Sequence, residues 1–367
     1  MVPDLQAIGR HFAIEGDFES GGPYGAGHIN DTYVVVYRRD TGRTRFILQR
    51  INHRVFRDPE GLMANIVAVT GHLSRKIRAA GGDPLRETLT LIPGLNGDSF
   101  IQSEAGDYWR AYVFIEGART YESVERLDHV RSAGRAFGTF QQMLGDFPAG
   151  ALSETIPDFH HTRKRFHALV QAVAKDVKNR AVIASPEIEF VLRRGDLTSV
   201  LVDRLAAGRL QQRITHNDTK FNNVMIDDLT GEGVCVIDLD TVMPGLSLYD
   251  YGDSIRSLTN TGAEDEADLS KVNFNLEVFD LYTRGYMQAT RGFLQPEEVD
   301  LLPFGAQLMT LECGMRFLAD YLQGDTYYKT RRPDHNLDRC RTQFKLVKGM
   351  EAAADQMAAI VQRWTTE

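Results

Sequence analysis

The chain is short of cysteine. Its three, Cys235, Cys313 and Cys340, are scattered and odd in number, and no CxxC pair occurs. Neither a disulfide framework nor a zinc site is expected from them. A long uncharged apolar run is also missing: the best candidate, residues 301–317, contains Glu312 and Arg316, too polar for a bilayer. Basic charge is not in excess. Lys and Arg number 42 against 50 Asp and Glu, a net charge of −8. That balance disfavours nucleic acid and anionic membranes as partners, because phosphate surfaces attract cations. The opening residues, MVPDLQAIGRHFAIEG, lack a basic start followed by an apolar run. No signal peptide is expected, and a cytoplasmic location is. No internal repeat or low-complexity linker appears.

What is present describes a globular protein: 43% apolar and 25% charged residues in a chain of 367. That length calls for two domains or lobes. Residues 1–115 read as a small, mainly antiparallel sheet with one helix. TYVVVY (32–37) and RFILQRI (45–51) are β-branched and apolar, and RRDTG between them is a turn, which makes a hairpin. A helix is expected over about 59–80, with Pro59 at its start and Gly81-Gly82 at its exit. TLTLI (88–92), DSFIQS and YWRAYVFI (108–115) read as further strands. Residues 116–367 read as mostly helical. In SAGRAFGTFQQML, Ala133, Ala136, Phe137, Phe140 and Leu144 share one face. DEADLSKVNFNLEVFDLYTRGYMQA and PEEVDLLPFGAQLMTLECGMRFLADYL are expected to be long helices. The fold class is therefore α+β, a small antiparallel β lobe followed by a larger helical lobe. The oligomeric expectation is a monomer or weak homodimer.

One segment departs from the helical pattern. ITHNDTKFNNVMIDDLTGEGVCVIDLDTVMPG (214–245) reads as strand, loop, strand and crowds His216, Asn217, Asp218, Lys220, Asn222 and Asn223 together. Turn residues alone explain some of this. The spacing suggests more. Asp218 precedes Asn223 by five residues, and Asp238 follows Asn223 by fifteen. In phosphoryl transfer one carboxylate orients the attacking hydroxyl and accepts its proton. An amide oxygen and a second carboxylate then hold Mg²⁺, a hard cation that takes oxygen ligands. A strand is expected to deliver Asp238 and Asp240 on one face. Paired carboxylates repel unless a cation neutralises them. Asp218 is thus the candidate base, Lys220 a candidate phosphate contact, and Asn223 and Asp238 candidate metal ligands.

A nucleotide site is expected upstream. SGGPYGAGHINDTYVVV places Gly21, Gly22, Gly25 and Gly27 just before a strand, where backbone N–H groups can approach phosphate. Gly25, Gly27, His28 and Asn30 are candidate contacts, and Thr32 is weighed with them. The third strand of a kinase normally ends in a lysine that pairs with the phosphates. Here Gln49 stands at that place, followed by Arg50, and Gln49 is expected to donate to phosphate oxygens. The following helix offers Asn65, with Glu60 early in it. Adenine is expected to meet the linker backbone from Phe114 to Glu116.

On the acceptor side, Glu312, Arg316 and Asp320 share a helix face at i, i+4 and i+8. A solvated salt-bridge stripe is the plain reading. Apolar residues flank them, so a polyol site is the alternative, with Tyr321, Tyr327 or Tyr328 supplying an aromatic face. Asp240 joins this substrate-side set. Asp250 and Asp253 are expected to cap a helix or brace the catalytic loop, with Arg256 paired to one of them. FHHTRKRFH, with His160, His161 and His167, reads as solvated surface or an interlobe contact.

The phrases GHINDTYVV, FILQRIN, ITHNDTKFNNVMID, VIDLDTVMPG, YDYGDSIR, EDEADLSKV and LECGMRFLADYLQGD resemble the bacterial N-acetylhexosamine 1-kinases. That family lies in the aminoglycoside phosphotransferase-like superfamily, and the similarity runs from about residue 10 to 355. It implies a protein-kinase-like two-lobe fold and ATP- and Mg²⁺-dependent phosphorylation of the anomeric hydroxyl of N-acetylglucosamine or N-acetylgalactosamine. It also implies Asp218 as base and Asn223 and Asp238 as metal ligands, and it is consistent with Gln49. Spacing alone reaches only a small-molecule kinase. Other acceptors (another sugar, homoserine, methylthioribose, choline) and a catalytically silent nucleotide-binding protein stand beside the sugar reading at this point.

Overall fold

The computed structural model describes residues 3–25 and 29–366, so the candidate phosphate contacts Gly27 and His28 lie outside the described residues. The chain opens with α1 (Leu5–Gly9), then β1 (Asp17–Pro23), β2 (Asp31–Arg39) and β3 (Gly42–Ile51). Next come α2 (Pro59–Ala79), α3 (Pro84–Glu87), β4 (Leu91–Ile92), β5 (Ile101–Gln102) and β6 (Tyr108–Val113). These strands form an antiparallel sheet in the order β1-β2-β3-β6-β4, with β5 also on β6. Period-two burial drives it. Tyr33, Val35 and Tyr37 of β2 and Phe46 and Leu48 of β3 face one core with Trp109 and Ala111. Of the expected strand over 88–92, only Leu91–Ile92 joins the ladder. Arg50 stays on the opposite face from Gln49, bound to Asp31 and Asp107.

Helix α2 begins as its sequence expects. Asp58 accepts the Gly61 N–H at 2.9 Å, and Pro59 occupies a position whose missing N–H costs nothing. Leu62, Ile66, Val69, Leu73 and Ile77 bury one face. Asn65 links this helix to the second lobe by donating to the carbonyls of Ser153 (2.7 Å) and Val242 (3.2 Å).

The chain then crosses through β7 (Ala118–Arg119) into α4 (Leu127–Met143), α5 (Thr162–Lys175), α6 (Ser185–Leu192) and α7 (Val200–Ala206). Four short strands follow: β8 (Arg213–Thr215), β9 (Val224–Asp227), β10 (Gly233–Val236) and β11 (Met243–Gly245). The remainder is helical: α8 (Ser247–Leu258), α9 (Leu276–Thr290), α10 (Pro296–Asp300), α11 (Leu302–Gln323), α12 (His335–Ala352) and α13 (Ala354–Thr366). The hairpin read from the sequence is β9–β10, and β7 unexpectedly adds a third strand to it. Strands β8 and β11 pair separately.

Two helix expectations need correction. The helix expected over 265–289 begins only at Leu276, where the Asn275 side chain accepts the N–H groups of Glu277 and Val278. The preceding residues are held in turns, with Asp268 accepting the Ser270 N–H. The helix expected over 296–322 divides at Leu301, and Pro303 sits in the first turn of α11, where its ring tolerates a helix start but not a helix interior.

Helices α4 and α9 pack so closely that side chains are excluded at their contact. A Cβ on Gly285 would run into the Arg131 carbonyl oxygen, and one on Gly134 into that of Tyr282. Gly285→Ala is therefore expected to destabilise the fold by about 1–3 kcal/mol through overpacking, measurable as a lower urea midpoint with the slope unchanged. Equal midpoints would show that the two helices can slide apart. Among the described residues, no helix is long and apolar enough to cross a membrane.

Candidate active site

Strand β8 delivers the loop 216–223. Its first residue, Arg213, is anchored by a buried two-pronged contact to Glu298 (3.1 and 2.8 Å). Asp250, buried at the start of α8, accepts the N–H groups of His216 (2.9 Å) and Asn217 (2.7 Å) and is itself held by Gln141. Ser254 donates to the Thr219 carbonyl. Asn217 adopts a left-handed backbone, φ 64°, a conformation that Asn tolerates better than most residues. Its side-chain amide donates to the Thr241 carbonyl at 2.9 Å. Asp253 pairs with Arg256 at 2.7 Å.

The same loop grips the turn that follows β10. The His216 ring meets the Ile237 carbonyl at 2.8 Å, the Ile237 N–H donates to the Asn223 carbonyl at 2.9 Å, and the Thr241 hydroxyl donates to the His216 carbonyl at 2.7 Å. Residues distant in sequence are thereby locked into one unit. Asp238 is also left-handed, φ 60°, and residues 239–241 form a tight turn. This corrects the expectation that a strand presents Asp238 and Asp240 on one face. The turn leaves Asp238 exposed to the cleft and drives Asp240 inward.

Asp218 stands 2.8 Å from the Lys220 ammonium. Their side chains keep 25% and 43% exposure, so both face the cleft and water screens the pair. Crowding at the cleft floor pushes the Asp218 carboxyl up. Lys220, with His216 and Arg256 beyond it, outweighs that effect and holds it below the usual carboxylate range. An ionised Asp218 is what a proton acceptor requires. The Asn223 amide nitrogen donates to the Asp218 carbonyl at 2.8 Å and lies 3.4 Å from its carboxylate. The amide oxygen thus points away.

Among the described residues, the Asn223 side-chain oxygen and the Asp238 carboxylate make no hydrogen bond or ion pair. No three His, Cys, Asp or Glu converge to hold a metal by themselves among those residues. Two open oxygen donors without a full protein cage fit Mg²⁺, which is usually held by one or two carboxylates plus substrate phosphates. Asp238 is pushed up to about 6 by its position among protein atoms, then by the Asp240 and Asp218 carboxylates. A bound cation would relieve that.

An unfolded aspartate titrates near 3.8, and folded Asp238 keeps its proton to about 6. Between those values the folded state binds more protons, so this group removes stability as pH rises through the window. Across it, the metal-free wild type is expected to lose melting temperature relative to Asp238→Asn. Mg²⁺ at neutral pH is expected to raise the wild type alone. Parallel curves would show that Asp238 is not strained by its neighbours.

At the nucleotide end, Gly25 has φ 72°, and a Cβ there would meet nothing within 4 Å. Tyr24 beside it packs edge-on against Phe114 of the linker, ring centroids 5.5 Å apart. Glu116 is committed elsewhere: its carboxylate pairs with Arg45 and its carbonyl accepts from Arg86. Neither backbone group of Ile115 makes a hydrogen bond among the described residues. Gln49 and Asn30 are also spent on protein partners. Gln49 donates to Thr32 (2.8 Å) and accepts from Arg110, and Asn30 donates to Asp240 at 2.6 Å. Asp240 itself is 2% exposed and 2.5 Å from Arg110, a brace and not a surface that meets substrate.

The expected acceptor stripe on α11 is divided. Glu312 is buried against His160 (2.8 Å) and Thr162. Asp320 accepts the N–H groups of Thr326, Tyr327 and Tyr328 and so shapes the loop after α11. Tyr321 is buried, its hydroxyl donating to Asp334. Arg316 alone stays uncommitted to a carboxylate, its guanidinium 4.8 Å from the Phe159 ring centroid and 5.8 Å from that of Tyr328. Arg165 lies close enough that burial and the Arg316 charge hold its pKa down. A separate cavity of about 810 Å³ opens beside Lys220, with Glu122, Arg256 and Glu264 in its wall.

Sequence reasoning missed Arg110, and its reading of His160 as solvated surface or an interlobe contact needs correction. His160 is buried, bridging Glu312 to the Asn217 carbonyl (3.0 Å), but a charged run around it masks the signal. Arg110 had one: a lone cation inside the apolar strand YWRAYVFI.

Solved structures share this fold. A microcompartment-associated aminopropanol kinase is 16% identical, with a TM-score of 0.62 over 96% of this chain and 97% of its own. An amicoumacin kinase in complex with AMP-PNP, Ca²⁺ and Ami is 14% identical, TM-score 0.57, over 95% and 94%. An aminoglycoside phosphotransferase from Alicyclobacillus acidocaldarius is 12% identical, TM-score 0.59, over 99% and 97%. Residues 21–284, most of the chain, match the phosphotransferase enzyme family (APH). With its antiparallel β lobe, helical lobe and Asp218-Asn223-Asp238 spacing, the chain belongs to that family and is a phosphotransferase with a hydroxyl acceptor.

Proposed function

We propose that the protein transfers the γ-phosphoryl group of ATP, with Mg²⁺, to the anomeric C1 hydroxyl of an N-acetylhexosamine, N-acetylglucosamine or N-acetylgalactosamine, giving the sugar 1-phosphate. The observation that carries this reading is the placement of an ionised Asp218 beside Asn223 and Asp238, whose oxygens are open. Asp218 accepts the hydroxyl proton as the sugar oxygen bonds to phosphorus and the bond to the departing ADP oxygen breaks. Asn223 and Asp238 would hold Mg²⁺, which when bound would neutralise charge on the phosphates. Lys220 keeps Asp218 ionised and faces the same cleft, where its ammonium can meet a transferring phosphate. An anomeric hydroxyl is more acidic than an ordinary alcohol, which suits a carboxylate base.

The acceptor chemistry follows from which groups are free. Around α11 the carboxylates of Glu312 and Asp320 are spent, while Arg316 remains beside Phe159 and Tyr328. Guanidinium donors with an aromatic face suit the hydroxyl and amide oxygens of an N-acetyl sugar. Neither Glu312 nor Asp320 is left to meet a cationic acceptor such as an amino alcohol. The test is ATP consumption across N-acetylhexosamines, plain hexoses, amino alcohols, choline and homoserine, with and without Mg²⁺. Consumption with N-acetylhexosamines and Mg²⁺ is expected. Consumption confined to a cationic acceptor would overturn the sugar assignment.

A further inference from the structure

Strand β3 carries Gln49 where kinases of this architecture place a lysine. The register of the sheet sets Gln49 directly opposite Arg110 on β6. Arg110 is 1% exposed, and a buried guanidinium needs partners. Its Nε and Nη2 donate to the Gln49 amide oxygen at 2.9 and 2.5 Å, and its Nη1 lies 2.5 Å from Asp240 Oδ1. The chain of contacts extends both ways. Gln49 is held by Thr32 at 2.8 Å, the other Asp240 oxygen accepts from Asn30 at 2.6 Å, and Asn30 accepts the Asn52 N–H at 2.9 Å. Strands β2, β3 and β6 are thus tied to the turn that carries Asp238.

We propose that Arg110 is a positioning residue for the metal turn: it neutralises Asp240, holds it against the β lobe, and thereby presents Asp238 to the cation. The role falls to β6 because β3 offers an amide where a cation is needed. This inference rests on the nucleotide-and-metal reading of the site. Stability alone does not account for the pair, since an uncharged replacement of similar volume usually serves a buried ion pair's place as well. With Arg110 in place, the charge of Asp240 is offset and Asp238 carries the free carboxylate. Without it, the turn loses its tie to β6 and Asp240 is left as a buried charge with no cation.

The test is calorimetric titration of AMP-PNP into the full chain, with Mg²⁺ and in EDTA, alongside thermal melting. Arg110→Met combined with Asp240→Asn removes both charges and keeps an acceptor for Asn30. That variant is expected to melt close to the wild type. Its affinity for AMP-PNP in Mg²⁺ is expected to fall about 10–100-fold, as for other partners that orient a metal ligand, with affinity in EDTA unchanged. Gln49→Lys in an Arg110→Gln background returns a cation to β3 and is expected to recover most of the loss seen in Arg110→Gln alone. Native Mg²⁺-dependent affinity in the double variant, or equal losses with and without Mg²⁺, would overturn the positioning role. A wild type that binds no AMP-PNP under either condition would strike the nucleotide reading itself, and the proposal with it.

Discussion

Asp218→Asn is expected to lower kcat by roughly 10²–10⁴-fold while nucleotide affinity stays near the native value. The amide has the shape of the carboxylate, so the adjacent Asn223 contact to the Asp218 carbonyl survives. It cannot accept the acceptor hydroxyl's proton. Lys220 loses its partner, but 43% of its side chain is exposed, so water takes the place of the ion pair and the fold persists. Steady-state turnover with calorimetry on the same preparation checks both halves. An unchanged kcat would remove Asp218 from the role of base. Lost nucleotide affinity would make it part of the phosphate site instead.

Asp238→Asn, which keeps a residue that tolerates the left-handed backbone there, is expected to separate activity from stability. Removing the Asp238 carboxylate should cut turnover by at least about 10²-fold, the scale seen when a single preorganised electrostatic contact is deleted. The metal-free protein should become no less stable, because the lost carboxylate is one whose charge is disfavoured by its position among protein atoms and then by Asp240 and Asp218. Active sites commonly give up stability in this way. Melting curves with and without Mg²⁺ decide it: the wild type is expected to shift upward with Mg²⁺ and the variant to stay put. A variant that still responds to Mg²⁺ would place the cation elsewhere.

The sequence carries the antiparallel β sheet and the polar hairpin after residue 214 plainly, because both rest on local signals. Alternation in 32–37 and 45–51 produces β2 and β3, and polar crowding in 216–223 marks the loop between β8 and β9. Contacts across long separations are invisible to such reading. Asp238 and Asp240 look like strand neighbours until the left-handed turn at Asp238 sends them apart. Glu312, Arg316 and Asp320 do share a helix face, but His160, Thr162 and the N–H groups of 326–328 claim two of the three. Arg110 was readable only as an oddity, a charge in an apolar strand, because its partner Asp240 lies far along the chain. The start of α9 at Leu276 shows the same limit on a smaller scale, where one capping asparagine overrides a run with helical periodicity.

Phosphorus NMR of a reaction containing N-acetylglucosamine or N-acetylgalactosamine, ATP and Mg²⁺ tests the central claim most directly. The expected spectrum shows a sugar phosphate coupled to the anomeric proton, appearing with ADP and absent when Asp218→Asn replaces the wild type. A phosphate on any other hydroxyl, or ADP formed with no sugar phosphate, would contradict it.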